Sequence, residues 1–160
     1  MSSPSLPVTP SFAPEEVVTH EPTRSARLKW VVVVDDSLSP GLQVNAVACV
    51  SATTGSLVDG LIARGGPDAS GQQHPGLPWA GCTVLAATGT QLEELRARAA
   101  GSDGVLVADM PTAAQTHRVY DDYLAELART QPADLGPCAV SIVGPRNRVD
   151  KLTRKLQLLA

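Results

Sequence analysis

The stretch KWVVVVDDSLSPGLQVNAVACVSA, Lys29 to Ala52, decides the fold. Trp30 to Val34 is an unbroken apolar run, largely β-branched and bounded by charge, which is the pattern of a strand covered on both faces. Ser39-Pro40 follows as a helix cap with proline at the first helical position, where a missing N–H removes no internal bond. From Pro40 to Thr54 the residues Leu42, Val44, Ala46, Val47, Ala48, Cys49 and Val50 lie all round a helix, which predicts burial on every side, with Gly55 as the stop.

Beyond this unit, residues 58–80 carry Gly60, Gly65, Gly66, Pro67, Gly71, Pro75, Gly76 and Pro78 and read as a long ordered loop with a short strand near Leu61. Loops of that length inside a compact domain are often functional. Cys82 to Ala87 reads as a second strand, followed by a capping-box pair at Thr90 and Glu93 and a helix with Leu92, Leu95 and Ala99 on one stripe. Gly104 to Ala108 is a third strand that ends at Asp109. Thr112 and Gln115 cap a helix on which Tyr120, Tyr123, Leu124 and Leu127 share a face. Cys138 to Val143 is a fourth strand, and Gly144-Pro145 leads into a basic helix closing in Leu156, Leu158 and Leu159. Four strands interleaved with four helices predict a three-layer α/β/α domain with a four-stranded mixed sheet over residues 27–160. Residues 1–26, with Pro4, Pro7, Pro10, Pro14 and Pro22 among Ser and Thr, are expected to be a disordered tail, or an arm that orders against another subunit.

Composition narrows the function classes. Of 160 residues, 43% are hydrophobic but only 3% aromatic, so the core is built from Val, Leu, Ala and Ile. A formal charge of −3 argues against a nucleic-acid-coating role, which needs a strongly basic face. Cys49, Cys82 and Cys138 are widely spaced with no CxxC pair, so neither a disulfide framework nor a zinc site is expected, and a cytoplasmic location is. No apolar run approaches the roughly 20 residues of a membrane span.

Residues 29–52 resemble the opening of the type II peptidyl-tRNA hydrolases without a gap, in Lys29, the strand, Leu38, Gly41 and the alanine-rich helix with Cys49. Gly144, Pro145, Asp150, Lys151, Thr153, Leu158 and Leu159 look like that family's closing segment, and the strand ending at Asp109 sits where the family has one ending in aspartate. A closer resemblance, over roughly residues 28–159, is to a bacterial family known only as a domain of unknown function, the one numbered two thousand, similar in fold to those hydrolases. NAVA at Asn45–Ala48, GPDASGQQHPG at Gly66–Gly76, YDDY at Tyr120–Tyr123 and VGPRNRVDKLT at Val143–Thr153 carry it. The resemblance implies a peptidyl-tRNA hydrolase II-like fold, and a homodimer, the usual assembly of such hydrolases.

Departures from the hydrolase pattern decide how far activity transfers. The family's arginine at the strand end is Asp35 here, its following aspartate is Ser37, and its Gly-Lys pair at the helix start is Gln43-Val44. Its glutamine and histidine further along are Ala48 and Ser51. Losing two cations and gaining an acid should repel a phosphate-bearing acceptor end, so tRNA binding is not expected. The expected function is a hydrolase or acyl-transfer enzyme on a small aminoacyl-type substrate; the alternative is a non-catalytic ligand-binding or interaction protein on the same scaffold.

Asp35 lies at a strand's carboxyl end, beyond which open α/β sheets usually bind ligands, with capping of the next turn as the structural alternative. Adjacent carboxylates in a strand point to opposite sides, so Asp35 and Asp36 are no acid–base dyad, and a metal would further need Asp68 and Asp109; neither metal nor cofactor is expected. His74 is the histidine of the glycine-rich loop, a residue type suited to a general base, with pinning of the loop as the structural alternative. His20 and His117 read as tail and surface residues. Asp35, His74 and Asp109 are therefore the catalytic candidates. Asn45, an isolated amide in an apolar helix, joins Thr153, Lys151 and Tyr120 as candidate substrate-binding residues, each with a structural alternative in a tie, a surface or a packing face. Arg146, Arg148, Lys151, Arg154 and Lys155 form a basic cluster that is either solvated or an anion site.

Overall fold

A computed structural model describes residues 9–160. The strands are β1 (Leu28–Asp35), β2 (Gly66–Pro67), β3 (Gln73–His74), β4 (Thr83–Ala87), β5 (Leu106–Pro111), β6 (Pro137–Pro145) and β7 (Gln157–Leu158). The helices are α1 (Pro40–Leu57), α2 (Gly89–Ala100), α3 (Thr112–Thr116), α4 (Tyr120–Leu127) and α5 (Arg146–Thr153). Val31 to Val34 are buried, as a doubly covered strand requires, and β1 is central in a mixed sheet ordered β5-β6-β1-β4-β7. It pairs in parallel with β4 and antiparallel with β6.

The sheet has five strands where the sequence predicts four. The added strand is β7, which pairs antiparallel with β4 where the sequence predicts the end of the last helix. That helix stops at Thr153, and the extended chain then crosses the sheet edge, so that Leu156 packs against one face and Leu159 against the other. Alternate burial on two faces is available to an extended chain passing an edge strand and not to a helix lying on one face.

Two cores flank the sheet. Val32, Val34, Ala139 and Val143 pack with Ala46 and Val50 of α1, whereas Val31, Val33, Val140 and Ile142 pack with Leu92, Leu95 and Ala99 of α2 and Val149 of α5. A directed hydrogen-bond chain pins α1 to the sheet: Trp30 Nε1 donates to Ser141 Oγ at 2.9 Å, Ser141 and Thr54 hydroxyls meet at 2.6 Å, and Thr54 Oγ1 donates to the Val50 carbonyl at 2.7 Å.

Several local expectations are corrected. α1 is apolar all round, yet only Ala46, Val50 and Thr54 are buried, and Leu42, Val44 and Leu57 face outward because no further layer covers them. It also runs past Gly55 to Leu57. The capping box of α2 is Thr88 with Gln91, two residues earlier than Thr90 and Glu93. The single helix expected from Thr112 is two, α3 and α4, broken at His117–Val119, and the Thr112 hydroxyl, not a cap, donates to the Gly136 carbonyl at 2.5 Å.

Residues 9–26, expected to be disordered, pack on the domain. Phe12 is buried against Trp79 with ring centroids 4.9 Å apart, its N–H donates to the Asp59 carbonyl, and Arg27 Nε donates to Glu16 Oε1 at 2.5 Å. An aromatic anchor outweighs the proline-rich flanks. Residues 1–8 of the expected tail lie outside the described residues. The long loop is built on an Ile62–Pro78 bridge and the β2–β3 hairpin, where glycine permits contact no side chain would: a Cβ on Gly76 would fall 1.6 Å from the Ala63 carbonyl oxygen.

Candidate functional site

The seven proposed site residues do not converge. Asp35 ends β1 with its Oδ1 taking bonds from the Ser37 N–H at 2.9 Å and the Ser37 hydroxyl at 2.6 Å, the turn-capping alternative. Its nearest expected partner, Asp109, registers with Val140 and through it with Val33. That puts Asp109 two strands away, roughly 10 Å across the sheet at ~4.8 Å per strand. The Asp109 carboxylate is engaged by Arg96 Nε of α2 at 2.5 Å.

His74 is rooted at the other end of the molecule. Its loop leaves the C-terminus of α1, whose 18 residues span roughly 27 Å from the turn that holds Asp35. The exposed imidazole donates from Nε2 to Asp68 Oδ2 at 3.1 Å. Asp68 Oδ1 also accepts from the Ser70 hydroxyl, the Ser70 N–H and the Gln72 N–H. Those bonds, Ser70 first and His74 next, lower the Asp68 carboxyl to about 2. The hairpin histidine therefore has the loop-pinning role, and the three candidate catalytic residues form no common centre.

The candidate binding residues divide between the two faces. Asn45 is exposed, not buried as a lone amide in an apolar helix suggests, and Gln115 Nε2 ties α3 to α1 through the Leu42 carbonyl at 3.0 Å and Asn45 Oδ1 at 3.4 Å. Thr153 is buried on the opposite face and donates to the Val149 carbonyl at 2.8 Å, a bond within its own helix. Lys151 lies on that face too. With Arg98, Arg154 and Lys155 it lines a groove of about 310 Å³ between α2 and α5, where Glu94 is the acid.

Tyr120 and Asp109 both line a cleft of about 280 Å³ between α1, the edge strand β5 and the α3–α4 break. Cys49, Val50 and Thr53 form one wall, Asp109 and Met110 the floor, and Ala114, His117, Tyr120 and Tyr123 the other wall. Its volume lies near the lower end of small-ligand sites, ~300–1,000 Å³. Tyr120 and Tyr123 stand edge to face, ring centroids 5.5 Å apart. Burial first, then the Tyr120 and Asp109 charges, push the Tyr123 phenol above its ordinary value and keep it a neutral hydrogen-bond donor. His117 Nδ1 lies 2.9 Å from the Ala113 carbonyl oxygen. A carbonyl only accepts, so Nδ1 carries a proton, and in the neutral ring Nε2 is then the acceptor.

Of the cleft residues, His117 is the one that the sequence reading took for a surface residue and gave no site role. His117 reaches the cleft because the helix breaks beside it. The available signal was the Asp121-Asp122 pair, an acidic first turn that marks a new helix start at Tyr120. Among the described residues no buried side-chain nitrogen or oxygen lacks a partner, no group of three or more His, Cys, Asp and Glu is placed to hold a metal ion, and no helix is long and apolar enough to cross a membrane.

Fold and cleft together define a mixed α/β protein with helices on both sheet faces and an aromatic-walled surface pocket at the sheet edge. The model of the family described as "Protein of unknown function (DUF2000)" matches residues 28–160, and the chain belongs to that family. Among solved structures, the chain is similar to a protein of unknown function, Atu0240, from Agrobacterium tumefaciens strain C58. The TM-score is 0.72 at 18% identity, over 84% of this chain and 98% of that one, a likeness of fold. The comparison with curated proteins found no match.

Proposed function

We propose that this protein binds a small organic molecule in the α1–α4 cleft, seating a planar or branched apolar group against Tyr120 and Tyr123. The observation that carries this reading is the conjunction of an apolar, aromatic-walled pocket with polar atoms at its margin, the Tyr123 phenol as donor and His117 Nε2 as acceptor. Tyr120 is 71% exposed beside exposed Val119 and Leu124, so the cleft is bordered by a patch of apolar surface. A thermal-shift screen of small carboxylic acids, amides and aminoacyl esters, repeated with Tyr120→Ala, tests it. A hit whose stabilisation disappears in the variant supports the cleft; hits that the variant leaves unchanged would place binding elsewhere.

The hydrolase or acyl-transfer reading moves with the site. Asp35 and His74 are occupied by structural bonds at opposite ends of α1, which argues against them as an acid–base pair. Kinship with the type II peptidyl-tRNA hydrolases rests on the matched stretches 29–52 and 144–159. The acid at Asp35 and the apolar Val44 support a substrate without a tRNA moiety. A homodimer is part of this proposal. No charge occurs from Ser37 to Val58, and the outward side of α1 exposes Leu42, Val44 and Leu57, a face that a second copy covers without stranding an ion.

A further inference from the structure

The basic residues near the end of the chain separate into two sets. Arg146 Nη2 donates to the Ala26 carbonyl at 3.0 Å and Arg148 Nη1 to the Asp103 carbonyl, so both serve the scaffold. Lys151, Arg154 and Lys155 instead line the groove of about 310 Å³ between α2 and α5, where Arg98 joins them from α2. The chain has thirteen lysines and arginines against sixteen acids. Arg27, Lys29, Arg96 and Arg129 each hold a carboxylate. That leaves seven cations without a side-chain partner among the described residues, and four of the seven line this groove.

Glu94 is the acid of the lining, so three positive charges stand uncompensated there in a chain whose net charge is −3. An ordinary soluble surface intersperses the two signs, and this groove does not. Its floor is apolar and fixed by the core: Leu95 is buried, and Leu152 and Leu156 pack against the same cluster as Val31 and Ile142. Gln91, Leu95 and Arg98 recur at the spacing of one helix face, so α2 carries a floor residue and a cation together. Arg154 and Lys155 sit in the turn that ends α5, which the Leu156 N–H closes on the Thr153 carbonyl at 3.0 Å.

We propose that the groove between α2 and α5 is a second ligand site, for a small organic diphosphate. Arg98, Lys151, Arg154 and Lys155 hold its phosphoryl groups, and the organic part lies on Leu95, Leu152 and Leu156. Three uncompensated charges exceed the ~2 of one phosphate monoester, which favours two phosphoryl groups over one. The arginines supply forked, bidentate contacts to phosphate oxygens and the lysines compact point charges. Gln91 and Glu94 offer acceptors to a hydroxyl or amino group of the organic part. The site makes and breaks no bond. It is separate from the α1–α4 cleft, which opens on the other face of the sheet.

Isothermal titration calorimetry of the full chain at physiological salt tests this, with inorganic pyrophosphate, adenosine diphosphate and inorganic phosphate as probes. The expected result is saturable binding of both diphosphates at one site, with inorganic phosphate at least about tenfold weaker. Arg98→Gln and Arg154→Gln should each weaken diphosphate binding about tenfold, the scale of one lost charge-assisted bond. Arg118→Gln removes an unpartnered cation outside the groove and should leave binding unchanged. All three positions are exposed, and circular dichroism checks that each variant is folded. Amide NMR shifts on titration should concentrate at residues 91–98 and 151–156. Absence of heat from either diphosphate at millimolar concentration overturns the proposal. So does a loss on Arg118→Gln equal to that on Arg98→Gln, or inorganic phosphate binding as tightly as pyrophosphate. A single-stranded oligonucleotide that outcompetes adenosine diphosphate and weakens on the same groove variants would assign the cations to a nucleic-acid backbone and overturn the small-molecule reading.

Discussion

The two faces of the sheet are finished differently. On the α2–α5 face, Leu92, Leu95, Ala99 and Val149 close a core beneath helices whose outer surfaces are charged, with Glu94, Arg98, Lys151, Arg154 and Lys155 toward solvent. On the other face α1 is as apolar outside as inside, and α4 exposes Val119, Tyr120 and Leu124 beside it. Six of the nine large exposed hydrophobics among the described residues lie on α1 or at the start and along α4. A charged outer surface leaves no apolar area to cover, whereas an apolar outer surface marks a face left for something apolar to bind. The cleft with Cys49 and His117 opens on that second face.

Substitutions break or sharpen this contrast. The largest effect is expected on the closed face: Leu92→Ala, at a fully buried position, should lower unfolding free energy by about 3 kcal/mol in urea denaturation. A loss below about 1 kcal/mol would mean that this core is looser than its burial implies. Ser141→Ala should come next, at about 2 kcal/mol, since it strands the Trp30 N–H and removes the Thr54 partner beneath α1. On the open face Val44→Glu, at 69% exposure, should change monomer stability by less than about 0.5 kcal/mol. The same change should convert a dimer to a monomer in light scattering; an unchanged mass would exclude the outer face of α1 from the interface.

The smallest effect is local. Asp68 has its folded pKa depressed from 3.8 to about 2 by the Ser70 and His74 bonds, so its contribution is present above its unfolded value and lost as pH falls through about 2. The β2–β3 hairpin should therefore keep its amide protection at pH 4 and lose it progressively toward pH 2, as read by NMR hydrogen exchange. Early loss, already complete at pH 4, would show that the carboxylate does not hold the loop.

The central strand and its following helix were legible because they rest on local rules: β-branched residues in series, and Ser39-Pro40 at a helix start. The family, too, was readable from the order of short motifs between Asn45 and Thr153, and residues 28–160 match it. What misled was inference from one residue's chemistry to its surroundings. Asp35, Asn45 and His74 are polar groups in conspicuous positions, and each has a local partner, in Ser37, Gln115 and Asp68. Phe12 was overlooked among prolines because its partner, Trp79, lies far along the chain.

By itself the sequence determined the central strand, the helix that follows it and the courses of β4, β5 and β6, because capping, β-branching and turn chemistry act over a few neighbouring residues. Only the tertiary structure decided that the outer side of α1 stays uncovered, that β7 completes the sheet, and that the break after α3 brings His117 to the cleft walled by Cys49. Those outcomes depend on which surfaces meet across the sheet, and packing between segments distant in sequence is a property of the assembled layers that no local pattern encodes.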